Sequence, residues 1–180
     1  MAIGRVYNVD LNNSTNGQGT GISIGTGGTP GSEYVLMYGG SAGEFNISAI
    51  RIGTYSGSSA SYPSNGTITW RIRRVSSTNS ATLVGTATAV PIGQSTTAAA
   101  SVWIYSTANG SGTATFATYG NVLWSQTTPC TAGANWGEWF TPGFEINAGP
   151  GQATLALTYE LGAAGTTSAV NLMAGLVISE

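Results

Sequence analysis

The chain has 180 residues, of which only 7% are charged, against about 25% in an average soluble domain. It has no histidine and no lysine, which excludes Ser-His-Asp triads, imidazole metal ligands, a phosphate-loop lysine and Schiff-base chemistry. We therefore expect no enzyme activity, metal or cofactor, and a formal net charge of -2 argues against nucleic acid as a partner.

The length predicts a single domain spanning residues 1–180, large enough to be stable without disulfides. Cys130 is the only cysteine, so no intramolecular bridge can form. Five Trp, eight Tyr and four Phe argue against a disordered chain. There is no secretory signal and no apolar run long enough to span a bilayer, so we expect a soluble protein made in the cytoplasm, with no membrane partner.

In chain order, alternating apolar and polar residues between Gly-, Asn-, Ser- and Pro-rich breaks predict strands. The clearest alternation places Ile68, Trp70 and Ile72 on one face. In another segment the apolar parity shifts between Ile47 and Ile50, which predicts a β-bulge. The predicted strands are Arg5–Leu11, Gly21–Gly25, Tyr34–Tyr38, Phe45–Gly53, Thr67–Val75, Ala81–Ala87, Ser101–Ser106, Thr113–Ser125, Trp139–Ile146, Gln152–Glu160 and Val170–Ile178.

No window favours a helix, because candidate stretches are interrupted by Gly or rich in Thr, Ser and Val. No fixed-period repeat or change in composition marks a second domain. The sequence therefore predicts an all-β fold, specifically a two-sheet antiparallel β-sandwich that is jelly-roll-like.

Three local patterns resemble catalytic or binding motifs but lack the required context. Gly21–Gly25 matches G-x-S-x-G, yet no histidine or following helix accompanies it, so we interpret it as a strand. The Gly-rich stretch Gly17–Gly31 lacks phosphate-loop spacing and is interpreted as a flexible loop. Glu138 and Glu145 are a conceivable glycosidase pair, but nothing in the sequence makes them converge.

The segment Asn135–Gly143 combines Trp136, Trp139 and Phe140 with Gly and Pro, and we expect a connecting stretch with a corner. One interpretation is a core plug, in which these aromatics pack beneath the chain as it crosses between sheets. The others are a subunit contact, since Trp is enriched at interface hot spots, and a stacking surface for sugar rings.

Arg71, Arg73 and Arg74 form the densest charge cluster. They are interpreted either as a solvated strand face that blunts edge pairing or as inter-subunit ion pairs to glutamate. Similarly, the low overall charge indicates a surface rich in Ser, Thr and Asn, one covered by neighbouring subunits, or both. The candidate interface or ligand-contact residues are Trp136, Trp139, Phe140, Arg71 and Arg73.

Three stretches together carry a family resemblance: the start Met1–Tyr7, the corner Trp139–Pro142 and the hydrophobic ending Asn171–Glu180. With them, the chain resembles a loose group of small virion proteins of tailed double-stranded-DNA phages. Gly143 after the corner and the Gly-rich Gly17–Gly31 stretch depart from that pattern.

This resemblance implies a structural virion protein, most simply a capsid decoration or cement protein on the outer capsid surface, made in the host cytoplasm. Its expected partners are the major capsid protein and further copies of itself, for example in a homotrimer, with the chain ends available for strand addition or clamping. Two alternatives stay open. One is a carbohydrate- or receptor-binding module of a tail, with Asn135 and Glu138 bonding sugar beside Trp136 and Trp139. The other is a structural tail or neck component.

Overall fold

The computed structural model describes residues 5–11, 22–24, 34–38, 45–55, 62, 66–75, 82–87, 89–92, 101–106, 119–147, 154–162 and 170–180. Within these ranges the regular structure consists of strands in two antiparallel sheets, without a helix. The all-β prediction is therefore confirmed for the part of the chain that is described.

The strands that form sheet A run in the order β10, β4, β13, β1, β7, with β11 also paired to β4 and β2 to β13. Their bounds are β1 Val6–Asp10, β2 Ile22–Ile24, β4 Asn46–Thr54, β7 Ala89–Pro91, β10 Asn135–Trp139, β11 Ile146–Asn147 and β13 Val170–Ser179.

Sheet B has the order β6, β8, β3, β12, β5, β9. Its strands are β3 Tyr34–Tyr38, β5 Thr67–Val75, β6 Thr82–Ala87, β8 Ser101–Ser106, β9 Tyr119–Pro129 and β12 Thr154–Gly162.

One buried cluster receives side chains from both sheets. Tyr7 and Ile50 enter it from sheet A, and Trp70 and Tyr159 enter it from sheet B. The Trp70 and Tyr159 rings lie 5.5 Å apart between centroids, and the Trp70 indole N–H donates to Thr128 Oγ1 at 3.2 Å. Because alternate residues of β1, β5, β12 and β13 point into this cluster, the period-2 pattern seen in the sequence marks the inner face of these strands.

The predicted bulge lies in β4. Ala49 pairs with Val177, and Ile47 pairs with Ile178. Two consecutive residues of β13 therefore pair with residues of β4 that are two positions apart, and Ser48 is the extra residue between them. The insertion lets Ile47 and Ile50 both reach the core, where each is completely buried. The parity shift in the sequence was therefore a correct signal.

The segment from 135 to 146 differs from the prediction. Asn135–Trp139 is a strand, β10, whereas the predicted strand Trp139–Ile146 is wrong over most of its length. The chain turns here instead, with Phe144 N–H donating to Thr141 C=O at 2.8 Å and Gly143 at a φ of 91°. Pro142 lacks an N–H for a ladder and Gly143 tolerates positive φ, so a turn is favoured at this point.

The chain ends pair with each other at one end of sheet A. Arg5 N–H donates to Glu180 C=O at 3.0 Å, and Glu180 N–H donates to Arg5 C=O at 2.9 Å. Strand β13 lies between β1 and β4 and is hydrogen-bonded on both sides. The backbone groups of this C-terminal strand are therefore already used within sheet A, so strand addition by another chain cannot take place at β13.

Candidate functional site

The candidate site lies on the outer face of sheet A, which points away from the core. The strand registers align Trp139, Ala49, Val177 and Asn8 in one row. The next row aligns Gly137, Arg51, Gly175 and Asp10. A single arginine therefore lies at the centre of the face, flanked on both neighbouring strands by glycine.

Arg51 lies across those glycines. A Cβ atom at Gly137 would be 3.5 Å from Arg51 Cγ, and one at Gly175 would be 3.7 Å from Arg51 Nη2. At its end the guanidinium donates from Nη2 to Asn8 Oδ1 at 2.8 Å. The hydrogen bond to Asn8 gives the donors of the Arg51 guanidinium a defined direction.

Asn135 extends this face over β4. A Cβ atom at Gly53 would lie 2.4 Å from Asn135 Oδ1 and 2.6 Å from the Ala134 carbonyl oxygen. A side chain at residue 53 is therefore incompatible with this arrangement, and glycine permits the close approach.

Two cavities lie on this face on either side of Arg51. One, of about 470 Å³, is lined by Asn8, Asp10, Asn135 and Met173 among others. The second, of about 540 Å³, is bordered by Trp139, Ile92 and Val177. We call the combined depression the Arg51 groove. It is defined by Asn8, Asp10, Arg51, Asn135, Gly137 and Trp139.

The two tryptophans of β10 lie on opposite faces of the strand. Trp139 is 74% exposed on the outer face, whereas Trp136 is half-buried and packs against the core, as Phe140 does. The structure therefore does not bring the Trp136 and Trp139 rings together as one stacking surface. The core-plug interpretation describes Trp136 and Phe140, and the exposed-contact interpretations describe Trp139.

Trp136 and Glu138 join the two sheets at one edge. The Trp136 ring lies 5.6 Å from the Trp124 ring of sheet B, between centroids. The Trp124 indole N–H donates to Glu138 Oε2 at 2.9 Å. Glu138, considered in the sequence as a sugar ligand or catalytic acid, is thus engaged in a structural hydrogen bond between sheets.

Arg71 and Arg73 lie on sheet B, because they alternate with the buried Ile72 and Trp70 along β5. Both arginines are half-buried, and they are separated from the Arg51 groove by the core. The two groups of predicted contact residues therefore belong to different surfaces of the molecule.

Apolar side chains are exposed along strands at the sheet edges. On β9 these are Val122 and Leu123, 44% and 37% exposed, and on β7 it is Val90, 55% exposed. Phe144, in the turn after β10, is 78% exposed. β7 and β9 contain no charged residue, although charge is a usual protection of an edge strand.

Cys130 is completely buried where the chain leaves β9, and burial raises the pKa of its thiol. In the described residues, no group of three or more His, Cys, Asp and Glu side chains is arranged to hold a metal ion. Nor does any helix of the described part have the length and hydrophobicity to cross a membrane.

Sequence reasoning missed Asn8, Asp10 and Arg51. Arg51 interrupts a predicted strand on the face opposite Ile50 and Ile52, which marks it as outward-facing. Its neighbours come from strands more than 40 residues earlier and more than 80 residues later in the chain. Only the strand register brings these residues together.

Comparisons with protein-family models, with curated proteins and with solved structures gave no match to this chain.

Proposed function

We propose that the two sheets form a jelly-roll sandwich. The support is a set of nested antiparallel pairs, in which β1 pairs with β13, β3 with β12, β4 with β10 and β5 with β9. Such nesting describes one long hairpin of eight strands. The additional pairs β13–β4 and β12–β5 are those that arise when this hairpin wraps around itself.

On that fold we propose a structural virion protein of the capsid decoration type. It would sit on the outer capsid surface, bound to the major capsid protein and to further copies of itself. Jelly rolls are the fold of many viral capsid domains, and also of lectins.

The observation that carries the proposal is that β7 and β9 contain no charged residue and expose apolar side chains. A solitary soluble domain usually protects its edge strands with charge, whereas here Val90, Val122 and Leu123 are exposed. Interface cores are depleted of charged residues in the same way. We therefore assign these strands to contacts with neighbouring subunits.

The contacts we propose are made by side chains more than by added strands. Pairing between β5 and β9 is interrupted at Leu123, which is an extra residue between Trp124 and Val122. Bulges of this kind twist an edge away from further pairing. Side-chain contacts of low charge then hold a closed oligomer without open-ended strand addition.

The first experiment locates the protein in intact particles by electron cryomicroscopy. We expect an icosahedrally repeated density outside the shell, and we expect particles lacking the protein to lose their DNA at lower temperature and milder osmotic shock. Density in the tail or neck would identify the alternative structural role. Absence from the particle would overturn the proposal.

The second experiment tests the edge itself. The double variant Val122→Ser, Leu123→Ser should weaken self-association about 10-fold or more, measured by analytical ultracentrifugation, since burial of two apolar side chains is lost. Asn121→Ser, at another exposed position of β9, is the matched control and should associate as the unmodified protein does. A monomeric unmodified protein, or equal association of the variants, would contradict the role given to β9.

A further inference from the structure

The Arg51 groove combines an exposed aromatic ring with planar polar side chains around a low floor. From this combination we infer that the groove binds a saccharide. This goes beyond the proposed structural role, and it uses a different surface from the edge residues Val90, Val122 and Leu123.

Trp139 supplies the apolar part of the site. Its ring is 74% exposed at one end of the groove, and it borders the cavity of about 540 Å³. An indole has a large flat apolar face and a polar N–H, which suits a sugar ring with C–H groups on its face and hydroxyls at its rim. Val177, which lines the same cavity, is buried, so the floor of the groove beside the indole is apolar.

The polar part of the site is formed by Arg51, Asn8, Asp10 and Asn135. Guanidinium, amide and carboxylate groups present paired donors or acceptors in a plane, which matches the spacing of neighbouring hydroxyls on a sugar. Arg51 is oriented by the 2.8 Å hydrogen bond from its Nη2 to Asn8 Oδ1. Such preorganisation lowers the entropy cost of binding a polar ligand.

The size of the groove is also appropriate. The two cavities, about 470 Å³ and about 540 Å³, each lie in the range of roughly 300–1,000 Å³ typical of small-ligand sites. They adjoin across Arg51, because both are lined by Asn8, Arg51 and Gly137. A short oligosaccharide can therefore place one unit against Trp139 and another near Asp10 and Asn135.

Other ligands fit less well. A phosphate backbone requires several cations, whereas the groove has Arg51 alone and Asp10 in the same row. The other occupant to be considered is a second copy of the protein that covers Trp139. The experiment distinguishes it from a saccharide through the oligomeric state of the Trp139→Ala variant.

The test is isothermal titration of the full chain with three probes, maltohexaose, cellohexaose and hexagalacturonic acid. These cover a helical neutral glycan, a flat neutral glycan and an acidic glycan. We expect saturable binding of at least one probe. Trp139→Ala and Arg51→Gln should each weaken it about 10-fold or more, and Trp139→Phe should retain part of the affinity.

The matched control is Arg74→Gln, which removes an exposed arginine outside the groove and should leave the affinity unchanged. If none of the probes binds, or if Trp139→Ala and Arg51→Gln bind as the unmodified protein does, the inference is overturned. It is also overturned if Trp139→Ala changes the oligomeric state, since a second copy would then cover the groove. Retention on particles is measured in parallel, so loss of the saccharide site and failure of the decoration role are separate outcomes.

Discussion

The two faces of β10 differ sharply although they belong to one strand of five residues. On the inner face, Trp136 packs against the core and Glu138 bonds to Trp124 of the other sheet. On the outer face, Gly137 adjoins Arg51 and Trp139 is exposed. Large aromatics in one short segment therefore have unrelated roles when strand geometry sends them to opposite sides of the sheet.

Trp136→Ala should have the largest effect on stability. Complete loss of a buried Trp costs about 3–5 kcal/mol, and since Trp136 is only half-buried we expect about 2–3 kcal/mol. The measurement is the free energy of unfolding from urea titration, with circular dichroism as the signal. A loss below about 1 kcal/mol would mean that the contacts of the inner face of β10 with the core do not stabilise the fold.

Cys130, where the chain leaves β9 toward β10, should make the free energy of unfolding depend on pH. Burial raises the pKa of its thiol above the ordinary value of 9.0, so the folded state retains this proton when the unfolded state loses it. The contribution of the neutral Cys130 thiol to the free energy of unfolding is complete below pH 9. It decreases as the pH rises toward the pKa of the folded state, by at most about 1.4 kcal/mol per pH unit.

Unfolding free energies of the unmodified protein and of Cys130→Ala, measured from pH 7 to 10.5, check this prediction. The unmodified protein should lose more stability than the variant above pH 9. Parallel curves for the two proteins would contradict the assigned cause.

Glu138→Gln should have a smaller effect on the inner face. The Trp124 N–H keeps an oxygen acceptor, but the hydrogen bond no longer has a charged partner. We expect a loss of about 0.5–1 kcal/mol in the free energy of unfolding, discounted because Glu138 is only half-buried. A shift in Trp fluorescence should accompany it, and an unchanged spectrum together with unchanged stability would show that the bond does not join the sheets.

Trp139→Ala should have the smallest effect on folding. Its side chain is 74% exposed, and surface substitutions of this kind usually change stability by less than about 0.5 kcal/mol. Urea unfolding beside Trp136→Ala is the direct comparison. If the two variants were equally destabilised, the difference between the two faces of β10 would disappear.

Much of the fold was predictable because strand signals are local. The alternation of Ile68, Trp70 and Ile72 and the parity shift around Ser48 both correspond to observed features of β5 and β4. The segment 135–146 was not predicted correctly. A connecting stretch with a corner was predicted for Asn135–Gly143 and a strand for Trp139–Ile146. Pairing with β4 instead makes Asn135–Trp139 a strand and leaves the turn to Pro142 and Gly143.

The sequence by itself determined the all-β class, the positions of most strands and, in strands such as β5 and β13, which residues face inward, because side-chain alternation is a property of neighbouring residues. It also excluded chemistry that requires histidine or lysine. Only the tertiary structure decided that Trp136 is a core contact and Trp139 a surface one, and that Arg51 meets Asn8 across β13. Those relations depend on the pairing of strands far apart in the chain, and the alternation within one strand does not identify which distant strand it pairs with.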